Sequence, residues 1–182
     1  MRGQDRRGQT TLDFAFGISI FIAVVLFIFL FVPGILDPFT AGAQEETVTT
    51  NRVADELSHG LLGSTSTPKV LNRTCTVRFF DAANPGGCHY YSGSSAVTER
   101  IGLDDRQNVN VTLYGNVSAA GTGRDVLCWD DTASTLAEKG GGSCDTVFVA
   151  GDSPPTRNDD SVTAMRVVSL FGEDVTMEVV MW

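Results

Sequence analysis

Residues able to do chemistry are few in this chain. Histidine occurs only at His59 and His89. Catalysis by acid–base or nucleophilic chemistry needs a nucleophile beside a base, paired carboxylates in a cleft, or a metal cluster. His59 sits in an amphipathic stretch, and His89 precedes Tyr90 and Tyr91 in what reads as a strand. No G-x-S-x-G elbow, phosphate-binding loop or Gly-rich dinucleotide fingerprint occurs. The acidic pairs Asp104-Asp105, Asp130-Asp131 and Asp159-Asp160 offer hard oxygen ligands, but none has the alternating spacing of a calcium loop, so they read as solvated turns. The expectation is a protein that is not an enzyme and holds no cofactor or metal.

The four cysteines, Cys75, Cys88, Cys128 and Cys144, all lie C-terminal to the long apolar run described below, which fits an oxidising compartment. Three pairings are possible. Cys75 with Cys88 and Cys128 with Cys144 is preferred, because each closes a short loop containing Gly or Pro turn signals, and each would contribute about 3 kcal/mol by chain entropy. A zinc site is the rival reading, weakened by the lack of any C-x-x-C pair. Asn72-Arg73-Thr74, Asn110-Val111-Thr112 and Asn116-Val117-Ser118 match the N-glycosylation acceptor pattern, although Asn110 falls inside an expected strand. Glycans on an edge or solvent face would also hinder unwanted sheet pairing.

Residues 14–36 contain no charge, and a helix of that length at about 1.5 Å per residue spans the roughly 30 Å hydrocarbon core of a bilayer. Arg2, Arg6 and Arg7 precede the run, while Asp37, Glu45 and Glu46 follow it. Basic residues mark the cytoplasmic side, so the C-terminal part is expected to face outward from a single span at the cell membrane. Pro33-Gly34 and Pro38 are expected to kink or loosen the outer end of the helix. A cleaved secretory signal is the competitor, because Ala41-Gly42-Ala43 has the small-x-small form, but the apolar run is longer than a signal h-region. Arg6-Arg7 also hints at twin-arginine export, without the apolar positions that signal needs.

The junction Arg6-Arg7-Gly8-Gln9-Thr10-Thr11-Leu12-Asp13-Phe14 places a basic pair and a glycine against a polar turn, then an acid at the membrane edge. It resembles the class III signal of archaeal type IV pilins. That resemblance covers about 28 residues and implies cleavage between Gly8 and Gln9 by a prepilin peptidase. Gln9 would become the first mature residue, Thr11 would take the hydroxyl position, and Asp13 would take the acidic position five residues into the mature chain. Asp13 departs from the family's more usual Glu by one methylene. A carboxylate beside an apolar run is costly unless paired, and the new α-amino group of a neighbouring subunit would pair it. The alternative is an Asp13 lying at headgroup level as a helix N-terminal acid. The resemblance further implies assembly with other pilin-like subunits through the Phe-rich helix, with the outer domain displayed on a surface filament. A membrane-anchored binding module with an uncleaved helix is the second reading.

The net charge of −9, with thirteen basic residues of which only Lys69 and Lys139 are lysine, resembles the acidic, lysine-poor usage of salt-loving archaea. Carboxylates keep such a surface hydrated when salt screens other charge effects. No basic stripe follows the first seven residues, so nucleic acid is excluded as a partner.

These elements divide the chain into a basic leader (1–8), a hydrophobic helix (9–37), an amphipathic helix with connector (38–68) and a β-rich outer domain (69–182). In the third segment Val48, Val53, Leu57 and Leu61 form an apolar stripe beside Arg52 and Glu56, with Gly60 and Gly63 near its end. Strands are expected over 70–80, 89–91, 108–114, 125–129 and 146–150. A terminal hairpin of 165–170 and 175–182 should turn at Phe171-Gly172-Glu173-Asp174. In its second strand Val175, Met177, Val179 and Met181 share one face. The fold class expected is α+β: a long N-terminal hydrophobic helix, then a small antiparallel sheet or sandwich.

Overall fold

A computed structural model describes the chain apart from residues 1–5, 41–42, 84–85, 92, 105, 119–122 and 157–160, and gives backbone alone at 6–11, 32–40 and 43–45. Arg2, Ala41, Gly42, Asp105, Asp159 and Asp160, named above, lie outside the described residues. The chain divides into two compact units, one ending at Gln44 and the other spanning Glu45–Trp182.

The first unit is helix α1 (Arg6–Thr40). Leu12–Phe31 is long and apolar enough to cross a membrane, and none of that stretch is buried within the chain. A helix apolar on every side has no face suited to water, which makes it a possible single-pass membrane anchor. Phe27 and Phe31, one turn apart, stack with centroids 4.7 Å apart. Helix α1 runs through Pro33 and Pro38, where a kink or loosening is expected. Each proline removes only one donor, and such losses are tolerated in long apolar helices.

The second unit is an α+β domain built on one seven-stranded antiparallel sheet rather than a sandwich. Helix α2 (Ala43–Asp55) leads into a π-helical turn, Glu56–Leu61, closed by Leu62 N–H donating to Leu57 O at 3.0 Å. Val53, Ala54, Leu57 and Leu62 are buried there, so this segment is part of the domain core. Val48, expected in the apolar stripe, is 69% exposed, and the inward position in that turn is taken by Thr50, whose hydroxyl donates to Glu46 O.

Helix α3 (Arg73–Phe80) replaces the strand expected over 70–80. Asn72 caps it, its Oδ1 accepting from Cys75 N–H at 3.1 Å, and Cys75, Thr76, Phe79 and Phe80 are buried at helical spacing. The β-branched and aromatic content of the segment favours strand, but the cap and the burial period favour helix, and tertiary packing decides. Residues 89–91 likewise form no strand. A short helix, α4 (Val97–Arg100), follows.

The strands are β1 (Val109–Gly115), β2 (Asp125–Asp130), β3 (Thr135–Glu138), β4 (Thr146–Val147), β5 (Val149–Gly151), β6 (Val162–Leu170) and β7 (Glu173–Met181). The main order is β3-β2-β1-β7-β6, with β4 on β2 and β5 on β1. The strand expected over 146–150 thus changes partner at the buried Phe148, whose N–H donates to Leu127 O and whose carbonyl accepts from Leu113 N–H. Gly151 has φ +97, and a Cβ there would lie 2.0 Å from Val109 O, so the crossing requires glycine.

β6 and β7 form the expected hairpin in full register, from Val162 opposite Met181 to Leu170 opposite Glu173. Its turn is only Phe171-Gly172, at φ 57 and 94, as a two-residue loop with both residues left-handed requires. Val175, Met177, Val179 and Met181 are buried, and Val109, Val111 and Leu113 of β1 pair beside them on the same face. One core cluster joins this face to Leu57, Leu62, Leu71, Phe79 and Phe80 from the helical segments.

Arg100 is an unusual member of that interior, 2% exposed. Its Nη1 donates to Phe79 O at 2.5 Å, and its guanidinium lies 4.6 Å from both the Phe79 and the Tyr90 rings. It thereby closes the C-terminal end of α3, where carbonyls lack helical donors and a positive charge is favoured.

Candidate functional site

The residues expected to serve in processing and assembly lie on α1. Gly8 and Gln9 are within its first turn, and Asp13 is exposed at the start of the apolar stretch.

Both preferred disulfides are present: Cys75–Cys88 with Cα atoms 5.6 Å apart and Cys128–Cys144 at 5.5 Å. Cys75 pins α3 at its buried face, and Cys128 pins β2 to the loop before β4.

Between these pinned elements opens a cavity of about 380 Å³, lined by Arg73 and Arg78 of α3, Trp129 of β2, Asp131, Thr146 of β4 and Phe171 of the hairpin turn, among others. The Trp129 and Phe171 rings stack at 4.4 Å and 20°, and the Arg73 guanidinium lies over Phe171 at 5.1 Å. The Trp129 indole is oriented by Nε1–H donating to Asp131 Oδ1 at 2.8 Å, and the Asp131 N–H donates to Asp145 Oδ2 at 2.8 Å. Sequence reasoning did not find this site. Its signals were Phe171, a bulky residue in a turn that favours Asn, Asp or Gly, and Trp129 beside a disulfide cysteine.

The acceptor asparagines differ in environment. Asn72 is exposed, and its cap uses Oδ1 rather than Nδ2, the atom a glycan would take. Asn116 is exposed too; its neighbour Ser118 donates from Oγ to Glu138 Oε2 at 2.9 Å. Asn110 corrects the expectation. It is 5% exposed in β1, its Nδ2 donates to Asp152 O at 2.8 Å, and its Oδ1 accepts from Thr112 at 2.8 Å, so the folded domain has no room for a glycan there.

The histidines do not assemble a catalytic pair. His59 Nδ1 lies 2.9 Å from Ser58 Oγ, but Ser58 is fully buried and cannot meet a substrate; His89 is exposed in a loop. Among the described residues, no three His, Cys, Asp or Glu side chains gather as metal ligands.

Among the described residues, two carboxylates are held below their usual range. Glu138 is held below the usual range chiefly by the Ser118 N–H, then by its hydroxyl and the Val117 N–H. Asp55 is lowered chiefly by its hydrogen bond from Arg166, 2.7 Å away. A carboxylate lowered by folding contributes stability that is fully present above its unfolded pKa and is lost as pH falls through the lowered value. The urea midpoint of the domain should therefore drop on acidification below the ordinary carboxylate range. Glu138→Gln should flatten part of that drop, and an unaltered pH profile in the variant would contradict the role given to Glu138.

No curated protein and no solved structure is significantly similar to this chain. A sequence profile described as a family of unknown function, DUF7287, matches residues 5–182. That span takes in the junction, the apolar helix and the whole sheet domain, and the chain belongs to the DUF7287 family.

Proposed function

We propose that this protein is a pilin-like structural subunit of an archaeal type IV pilus-like surface filament, cut between Gly8 and Gln9 by prepilin peptidase and assembled through α1. The observation that carries this reading is the junction itself: a basic pair, Gly8, Gln9 and Asp13 run directly into a long apolar helix that is unburied among the described residues. In lipid the unprocessed helix is solvated by acyl chains; in a filament the same Phe-rich surface packs against copies of itself. Asp13 is the assembly residue, and its carboxylate pairs with the new α-amino group of a neighbour. The disulfide-stapled sheet domain then faces outward, with sugars carried at Asn72 and Asn116.

Asp13→Ala tests the assembly step. Incorporation into sheared filaments should be lost while cleavage after Gly8 persists. Normal incorporation of the cleaved variant would exclude a pairing role for Asp13.

A second reading, an uncleaved membrane-anchored binding module, is favoured by the aromatic cavity, which is built as a recognition site would be. The N-terminus of the protein in the cell separates the two.

A further inference from the structure

We propose that the cavity between α3, β2 and the hairpin turn is a binding site for a carboxylate-bearing sugar, with Arg73 holding the carboxylate and the Trp129–Phe171 pair forming the apolar platform for the ring.

The charge points to the carboxylate. Arg78, Arg106, Arg124 and Arg166 each form an ion pair with an acidic side chain. Arg52 and Arg100 form none among the described residues, but of the two arginines lining the cavity only Arg73 is unpaired, and the two lining carboxylates are engaged, Asp81 by Arg78 and Asp131 by the Trp129 Nε1–H. The Arg73 guanidinium carbon instead lies over the Phe171 ring, 5.1 Å from the centroid. The planar guanidinium fork matches a carboxylate with two parallel hydrogen bonds.

The platform points to a sugar. Aromatic rings meet the apolar C–H face of a pyranose, while the hydroxyls at its rim need polar partners. Thr74, Thr146 and Asp131 line the same cavity and supply both donors and acceptors. A volume of about 380 Å³ lies at the small end of ordinary ligand sites, suited to one or two rings.

The platform is also preorganised. Trp129 is locked by Asp131, Asp131 by Asp145, and the flanking elements by the two disulfides. Phe171 takes φ 57 in a turn where glycine or asparagine would fit without strain, at a cost of about 1–2 kcal/mol. That conformation is what sets its ring against Trp129. Binding therefore requires little further ordering of the protein. The inference stands independently of filament assembly, since it concerns only the Glu45–Trp182 unit.

The test is calorimetric titration of the full chain in detergent with three probes at one fixed salt concentration: a galacturonic acid trimer, the corresponding neutral galactose trimer, and trialanine with a free C-terminal carboxylate. The uronate trimer is expected to bind at least about tenfold more tightly than the neutral trimer, and Arg73→Gln should erase that preference. Arg73 is exposed and its replacement by Gln keeps the Asn72 acceptor pattern, so the fold and any glycan are preserved. Arg73→Lys should recover only part of the preference, because an ammonium lacks the planar fork. The proposal is overturned by no binding of the uronate trimer, by equal binding of the neutral trimer, by a preference that survives Arg73→Gln, or by trialanine binding as tightly as the uronate.

Discussion

Replacing Gly8 with isoleucine is expected to leave the chain at its full length in the membrane and to abolish its appearance in filaments. A peptidase acting at the cytoplasmic edge must bring the Gly8 carbonyl to its catalytic groups while the apolar helix stays in lipid. The residue on the acyl side of the scissile bond therefore meets the enzyme at close range. Even one added methylene at a tight subsite is worth about 10–200-fold in discrimination. A β-branched side chain in place of hydrogen should cost at least the upper end of that range. The change leaves Asp13 and Leu12–Phe31 intact, so membrane insertion is unaffected. Immunoblots of membrane and sheared fractions check this: a single unprocessed band confined to membranes is expected. A processed band of normal intensity would show that Gly8 is not the residue before the cut.

Phe79→Ala should be the most damaging single substitution in the domain, at about 3–5 kcal/mol. Phe79 is fully buried, meets Phe80 and Tyr90 edge-on at 5.3 and 5.4 Å, and carries the Arg100 guanidinium on its ring. Truncation leaves a cavity in the core and strips one aromatic face from a buried cation whose Nε already has no partner among the described residues. Burial has already pulled the Arg100 pKa below its ordinary value, which is the signature of a charge held at some cost. Against a typical total of 5–15 kcal/mol, the loss takes a large share of the domain's stability. Urea unfolding reads it as a lower midpoint at unchanged slope; a midpoint within experimental scatter of the parent would mean that Phe79 does not organise this interior.

Much of this architecture is legible in the residues, for identifiable reasons. The β6–β7 hairpin announces itself because one strand faces the core with every second residue and a glycine sits in the turn. The disulfides follow from loop length and Gly or Pro turn signals. The long apolar helix follows from 23 residues without charge. Helix α3 is misread because its Thr, Val and Phe content favours strand locally, and only the Asn72 cap and the burial of Cys75, Thr76, Phe79 and Phe80 reveal the helical period. Strand β3 escapes because Leu136 is its only buried side chain. The aromatic cavity leaves only faint local signals, the bulky Phe171 in its turn and Trp129 beside Cys128. Arg73, Trp129 and Phe171 are far apart in sequence, and nothing local to any of them encodes the β2 and α3 geometry that brings them together. Asn110 shows the converse: an acceptor motif is visible in the sequence, but its burial between β7 and β5 is not.

The most direct test of the central claim is the mass of the N-terminal peptide of the protein extracted from its native membranes. A filament subunit released by prepilin peptidase begins at Gln9. An N-terminus at Met1 contradicts processing and leaves an anchored module, and one at Gln44 contradicts both by showing that α1 is discarded.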